Sequence, residues 1–359
     1  MLLNRICLKA IGFVLGSLLI YSCESSIAPT SRRVPEMKGF SYTSFTSNGF
    51  EQGASRLALN ELKSQTQTDY VALNVFVFQD NELSTSIYPT LKTSSDDDIR
   101  SAIFEARANS MKVFLKVNLD VEDGRWRAYI TPDNAELWFA SYTSTILHYA
   151  SIASANGVEM FSVGGELITA TQPQFESSWR RLIASVRSAY SGKLIYCANW
   201  DGIADVNSGV PEFEQIRFWD ALDFIGVDAY YPVALTSSET PSIATATSRL
   251  QPELNSVHTI STRYNRNVVI TETGIQSIQG ALLSPWNFSR GGEPGAIRDD
   301  NVQTIYYNAI INSFGSQSWC KGIFWWNWES VESSNWSTNY TVRNKPAAVV
   351  LKNWYSGFL

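Results

Sequence analysis

Residues 268–275 read VVITETGI and residues 158–167 read VEMFSVGGEL. Both are short, apolar, β-branched runs with a glutamate near the C-terminal end, Glu272 in one and Glu166 in the other. Working outward, six more runs of the same kind recur: 38–45 (KGFSYTSF), 70–79 (YVALNVFVFQ), 112–120 (KVFLKVNLD), 193–200 (KLIYCANW), 222–232 (LDFIGVDAYYP) and 322–328 (GIFWWNW). They start roughly 30 to 55 residues apart, enough for a loop, a helix and a return to a parallel neighbour. Near-continuous apolar strands imply a parallel sheet covered on its outer face. The intervening segments carry helical signals. Thr131-Pro132-Asp133 offers a cap, a first-turn proline and an acid. Trp138, Tyr142, Ile146, Tyr149 and Ala153 then follow at helical spacing. Ser94-Ser95-Asp96-Asp97-Asp98 reads as the solvated start of another helix. The loop at 291–295 (GGEPG) lacks a preceding strand and a Lys-Ser/Thr tail, so it is not a phosphate cradle. Eight β/α units in series predict an α/β fold, a closed (β/α)8 TIM barrel forming one domain.

The chain has 359 residues, more than the roughly 250 that one such barrel needs. Its net charge of -6 and its lack of a basic stripe argue against a nucleic-acid partner. Only two histidines occur, His148 and His258, both within expected outer helices. A zinc site would lack its commonest ligands, so neither a metal nor a cofactor is expected. Any acid/base chemistry must then fall to carboxylates. The aromatic count is high, with Trp 12, Tyr 16 and Phe 18. Aromatic faces pack in cores and also stack on sugars.

Residues 1–23 read as a lipoprotein-type signal peptide. Arg5 and Lys9 precede an apolar run too short for a comfortable membrane span, and Ile20-Tyr21-Ser22-Cys23 resembles a bacterial lipobox. Residues 24–36 would be a flexible tether and 37–359 the catalytic domain. Export follows as an expectation: a lipoprotein held at the bacterial cell surface or in the periplasm through lipid on Cys23, or otherwise a secreted protein. A monomer is expected. Cys197 and Cys320 fall at opposite ends of their strands, too far apart for a disulfide, and are expected to be free.

Active sites of β/α barrels lie at the C-terminal strand ends. There the chain places Asn74, Gln79 and Asp80 on strand two, Asn118 and Asp120 on strand three, and Glu166 on strand four. Strand five offers Asn199, Trp200 and Asp201, and strand six Asp228, Tyr230 and Tyr231. Strand seven offers Glu272, and strand eight Trp325, Trp326, Asn327 and Trp328. Amides and carboxylates hydrogen-bond sugar hydroxyls, and aromatics supply stacking platforms. Gly164 and Gly165 remove side chains beside Glu166 and open room for a ligand, and a carboxylate embedded in an apolar strand, as Glu272 is, is costly unless it is paired or hydrogen-bonded; this singles out Glu166 and Glu272. Two carboxyls about 5 Å apart across the mouth would give retaining glycoside hydrolysis, and a wider gap inversion.

These motifs together resemble glycoside hydrolase family 113, β-mannanases in the barrel clan with glutamates on strands four and seven. The resemblance rests on KGFSYTSF, VALNVFVFQD from Val71, GGEL, DFIGVDAYYP, ITETG, GIFWWNW and Lys345-Pro346-Ala347. It implies Glu166 as acid/base and Glu272 as nucleophile. It implies that Tyr230 steadies the nucleophile, that Trp325 and Trp326 wall the subsites, and that Asn74 and Asn118 contact sugar. Asn199, Trp200 and Asp228 complete the expected substrate-binding set. Many clan members carry Asn just before the acid/base; Gly165 stands there instead. The implied activity is endo-β-1,4-mannanase action on mannan, glucomannan or galactomannan. Hydrolysis of another β-glycan (xylan, β-glucan or an oligosaccharide) and a non-catalytic surface glycan-binding lipoprotein are the competing readings.

Overall fold

The computed structural model describes residues 32–357. The expected signal peptide and Cys23 lie outside these residues. Strands β1 (Met37–Thr43), β2 (Tyr70–Gln79), β3 (Lys112–Val121), β4 (Met160–Gly165), β5 (Lys193–Asn199), β6 (Phe224–Asp228), β7 (Val268–Thr273) and β8 (Cys320–Glu329) pair in parallel, and β8 closes onto β1. Helices α1 (Gly53–Thr66), α2 (Asp96–Ala108), α3 (Ala135–Ala155), α4 (Glu176–Ala189), α5 (Ala204–Asn207), α6 (Glu212–Gln215), α7 (Ile243–Arg249), α8 (Gln251–Tyr264) and α9 (Asp300–Ile310) lie in the connections, and α10 (Pro346–Tyr355) follows β8. His148 lies on α3 and His258 on α8, as expected, and Cys197 and Cys320 are free and buried. None of these helices is long and apolar enough to cross a membrane.

Two apolar layers hold the barrel. Tyr70, Ala72, Phe114, Met160, Ile195, Cys197, Val269 and Phe324 fill its interior. The alternate residues face outward into a larger layer shared with the helices, which includes Val71, Val113, Leu115, Phe161 and Ile270. On α3 the predicted stripe of Trp138, Tyr142, Ile146, Tyr149 and Ala153 is buried. The helix starts later than its local signal suggests, however. Thr131 and Asp133 spend their backbone N–H groups on Glu82 O and Leu83 O, so Asn134 becomes the cap and accepts from Leu137 N. Ser95 caps α2 as read, but Asp98 is not solvated: it is buried and accepts from Phe50 N and Glu51 N.

The tether ends earlier than the sequence suggests. Arg32 donates to Asn308 Oδ1, Arg33 Nη1 donates to Cys320 O, and Trp354 Nε1 donates to Arg33 O. These contacts fasten the residues just before β1 to the barrel.

Candidate active site

Strand alternation builds the site floor. On β3, Phe114 belongs to the barrel interior, and the same face continues as Lys116, Asn118 and Asp120 toward the mouth. On β5 the inner face runs Ile195, Cys197, Asn199, and on β6 it runs Phe224, Gly226, Asp228. Each face turns from apolar to polar as it approaches the C-terminal end. Strict alternation from Val269 and Thr271 would turn Glu272 away from the interior. A register shift prevents this: Val227 pairs with Ile270, yet Asp228 pairs with Glu272. The bulge re-aims the glutamate into the mouth, a common use of such irregularities.

Glu272 is buried and held on both oxygens. Lys116 Nζ donates to Oε1 at 2.5 Å and Tyr230 OH donates to Oε2 at 2.8 Å. Lys116 also donates to both oxygens of Asp228, at 3.1 and 2.9 Å, and Thr271 Oγ1 donates to Asp228 Oδ1 at 2.7 Å. Burial raises the Glu272 carboxyl above its ordinary pKa and the neighbouring Asp228 adds to this, while Lys116 and Tyr230 pull it back. Burial alone would discharge Lys116, but Asp228 and Glu272 outweigh it and hold the ammonium well above its usual pKa. The lysine side chain is 1% exposed, so this charge is committed to its two carboxylates.

Glu166 follows β4 with φ +55, a left-handed conformation that is uncommon for a side-chain-bearing residue and that marks local strain. Its Oε1 accepts from Asn199 Nδ2 at 2.6 Å, and Arg127 Nη1 stands 3.5 Å from Oε2. Arg127 sits on a single 3-10 turn, Arg127–Tyr129, and is anchored by Nε and Nη2 to Asp120 Oδ1 at 2.9 and 2.7 Å. Burial raises the Glu166 carboxyl, Arg127 lowers it and Glu272 raises it again; the net direction is up. The position that the resemblance would fill with Asn is crowded here. A Cβ at Gly165 would meet Cys197 O at 3.0 Å and Cys197 Cβ at 3.1 Å.

The expected site residues divide into two groups. Glu272, Tyr230 and Asp228 are joined through the Tyr230 hydroxyl and the Lys116 ammonium, and Glu166 and Asn199 form a separate hydrogen-bonded pair. Trp200 is half-buried beside it, edge-on to Tyr231 at 5.3 Å and next to Trp286 at 5.4 Å. Trp326 is partly exposed on the inner-face parity of Phe324. Asn74 and Asn118 are covered rather than presented to solvent. Asn74 Nδ2 donates to Ala72 O, Asn118 Nδ2 donates to Asn74 Oδ1, and Arg127 Nη1 lies 3.4 Å from Asn118 Oδ1. They support Arg127 from behind. Trp325 corrects the expectation outright. It is 0% exposed, stacks on Tyr307 of α9 at 4.1 Å and donates to Tyr355 OH at 3.0 Å. It packs in the helical layer, because alternation from Phe324 turns it outward.

Sequence reading missed Lys116, Arg127, Glu212 and the exposed Trp286. Only Lys116 left a signal: a lysine in the middle of an apolar strand, two residues before Asn118, must find buried partners. Arg127 and Glu212 arrive from loops whose course local sequence does not fix. Among the described residues no group of three or more His, Cys, Asp or Glu is placed to hold a metal ion.

Comparison with known proteins adds a family. The sequence model of Glycoside Hydrolase Family 113 matches residues 39–345. A solved GH113 β-1,4-mannanase superposes with a TM-score of 0.77 at 26% identity, covering 90% of this chain and 99% of the other. A GH113 β-mannanase from Alicyclobacillus acidocaldarius gives the same TM-score of 0.77 and 26% identity, over 91% of this chain and 99% of that one. A β-glucuronidase from Ruminococcus gnavus, at 16% identity and a TM-score of 0.59, shares the fold alone over 89% of this chain and 50% of its own. A search of curated proteins gave no match.

Proposed function

The chain belongs to glycoside hydrolase family 113, and from that premise we propose that it is a retaining β-1,4-mannanase in which Glu272 attacks and Glu166 moves the proton. The observation that carries the division of roles is the unequal hold on the two carboxyls. Glu272 has a donor on each oxygen, one of them a buried ammonium, which favours the anion a nucleophile requires. Glu166 has one neutral amide at short range and a guanidinium at 3.5 Å, so its protonated form is the easier of the two to keep. In the first half-reaction Glu272 bonds to the anomeric carbon as Glu166 donates its proton to the departing oxygen. In the second, Glu166 takes a proton from water as that water displaces Glu272. The choice of mannan is supported by the two solved mannanases that match along almost their whole length.

The test is turnover on a panel of mannan, glucomannan, galactomannan, xylan and β-glucan, with Glu166→Ala and Glu272→Ala alongside the wild type. Cleavage of the mannans by the wild type and its loss in both variants is the expected result. Preference for xylan or β-glucan would overturn the substrate. Binding without turnover would favour a surface glycan binder. Activity surviving in Glu272→Ala would overturn the nucleophile.

A further inference from the structure

Glu212, at the start of α6 in the β5–β6 connection, is a fully buried carboxyl that none of these steps uses. Three groups donate to it. Tyr196 OH and Thr171 Oγ1 reach Oε1 at 2.7 and 2.8 Å, and the backbone N–H of Asn199 reaches Oε2 at 2.7 Å. Two of these partners lead to Glu166. Asn199 gives its Nδ2 hydrogen to Glu166 Oε1, and its amide orientation is unambiguous because its Oδ1 accepts from Asp201 N at 2.8 Å. Tyr196 OH accepts from the backbone N–H of Leu167 at 2.9 Å, one residue beyond Glu166. The third partner, Thr171, closes the same segment, which is also tied by Gln215 Nε2 to Ile168 O at 2.7 Å.

We propose that Glu212 is a positioning residue for the acid/base: one buried carboxyl that fixes the Glu166 side chain through Asn199 and the Glu166 backbone through Tyr196 and Leu167. This rests on the reading of Glu166 as acid/base. Glu166 needs such a clamp because its left-handed backbone is not a conformation it would hold unaided. All three partners donate, so the carboxyl accepts on every side. Glutamine would set its NH2 group against the Asn199 N–H in one orientation and against the Tyr196 and Thr171 hydroxyls in the other, releasing at least one arm of the clamp.

The defect should depend on the leaving group. A dinitrophenolate departs without protonation, whereas a sugar hydroxyl needs a correctly aimed acid. The experiment measures kcat/KM of wild type, Glu166→Ala, Glu212→Gln and Tyr196→Phe on dinitrophenyl β-mannobioside and on an unactivated mannan oligosaccharide. We expect Glu212→Gln to lose roughly 10- to 100-fold on the oligosaccharide and less than about threefold on the activated substrate. Tyr196→Phe keeps the carboxyl and the ring volume and should show a smaller loss with the same preference. It also decides the matter if Glu212→Gln fails to fold. Equal losses on both substrates, or no loss on either, would overturn the positioning role. If Glu166→Ala itself shows no leaving-group preference, the acid/base reading fails instead, and the two failures are told apart.

Discussion

Replacing Lys116 by methionine removes one buried charge and keeps most of the side-chain volume. Its Nζ lies 2.5 Å from Glu272 Oε1 and within 3.1 Å of both Asp228 oxygens, so the variant leaves two carboxylates facing each other with no cation between them. Unit charges 4 Å apart attract by about 4 kcal/mol at an effective dielectric near 20. At about 1.4 kcal/mol per pKa unit, that is close to three units on Glu272 if the lysine served it alone. Because Asp228 shares the ammonium, a rise of about one to three units is expected. In the proposed mechanism Glu272 attacks as the deprotonated carboxylate. Raising its pKa therefore moves the acid limb of the kcat/KM profile to higher pH, and activity lost near neutrality returns as pH rises. Stability should also fall by about 3–5 kcal/mol, the usual cost of breaking a buried ion pair. The assay is the pH dependence of kcat/KM together with urea unfolding. Adding Asp228→Asn removes the repulsion and should bring the acid limb part of the way back. An unmoved acid limb in Lys116→Met, with wild-type stability, would refute the reasoning.

Tyr230→Phe deletes the hydroxyl on Glu272 Oε2 without changing ring volume. A hydrogen bond to a charged group contributes about 1.5–3 kcal/mol, so kcat should fall by roughly 10- to 100-fold in a protein that remains folded. A change below about threefold in steady-state kinetics would remove Tyr230 from the mechanism. Trp325→Phe should leave kcat and KM unchanged while lowering unfolding free energy by about 2 kcal/mol, since it loses the bond to Tyr355 and part of its stack on Tyr307. A large rise in KM at unchanged stability would return Trp325 to the substrate cleft.

The barrel was legible because parallel strands buried on both faces must be apolar almost throughout, and β2 and β5 begin at the residues where the sequence runs begin. Boundaries slipped where backbone left the ladder to build the site. The sequence run around β6 extends to Pro232, but the strand stops at Asp228 and Ala229 N turns to Glu272 O. Glu166 and Glu272 were legible from their strand ends and motifs. The bulge that turns Glu272 inward was not, because alternation taken literally places it outside. The same alternation, applied to β8, separates Trp326 from Trp325, a distinction that composition alone does not make. Arg127 and Glu212 depend on loop geometry and on partners up to 41 residues away, and nothing local in the sequence announces them.

The account stands most directly on the identity of the attacking carboxylate. Incubation with a deoxyfluoro mannoside carrying a dinitrophenyl leaving group, followed by peptide mapping by mass spectrometry, reports which residue becomes bonded to the sugar. A stable adduct on the peptide containing Glu272, absent in Glu272→Ala, is the predicted result. An adduct on Glu166, Asp228 or any other carboxylate, or no adduct under conditions where the enzyme cleaves mannan, would contradict it.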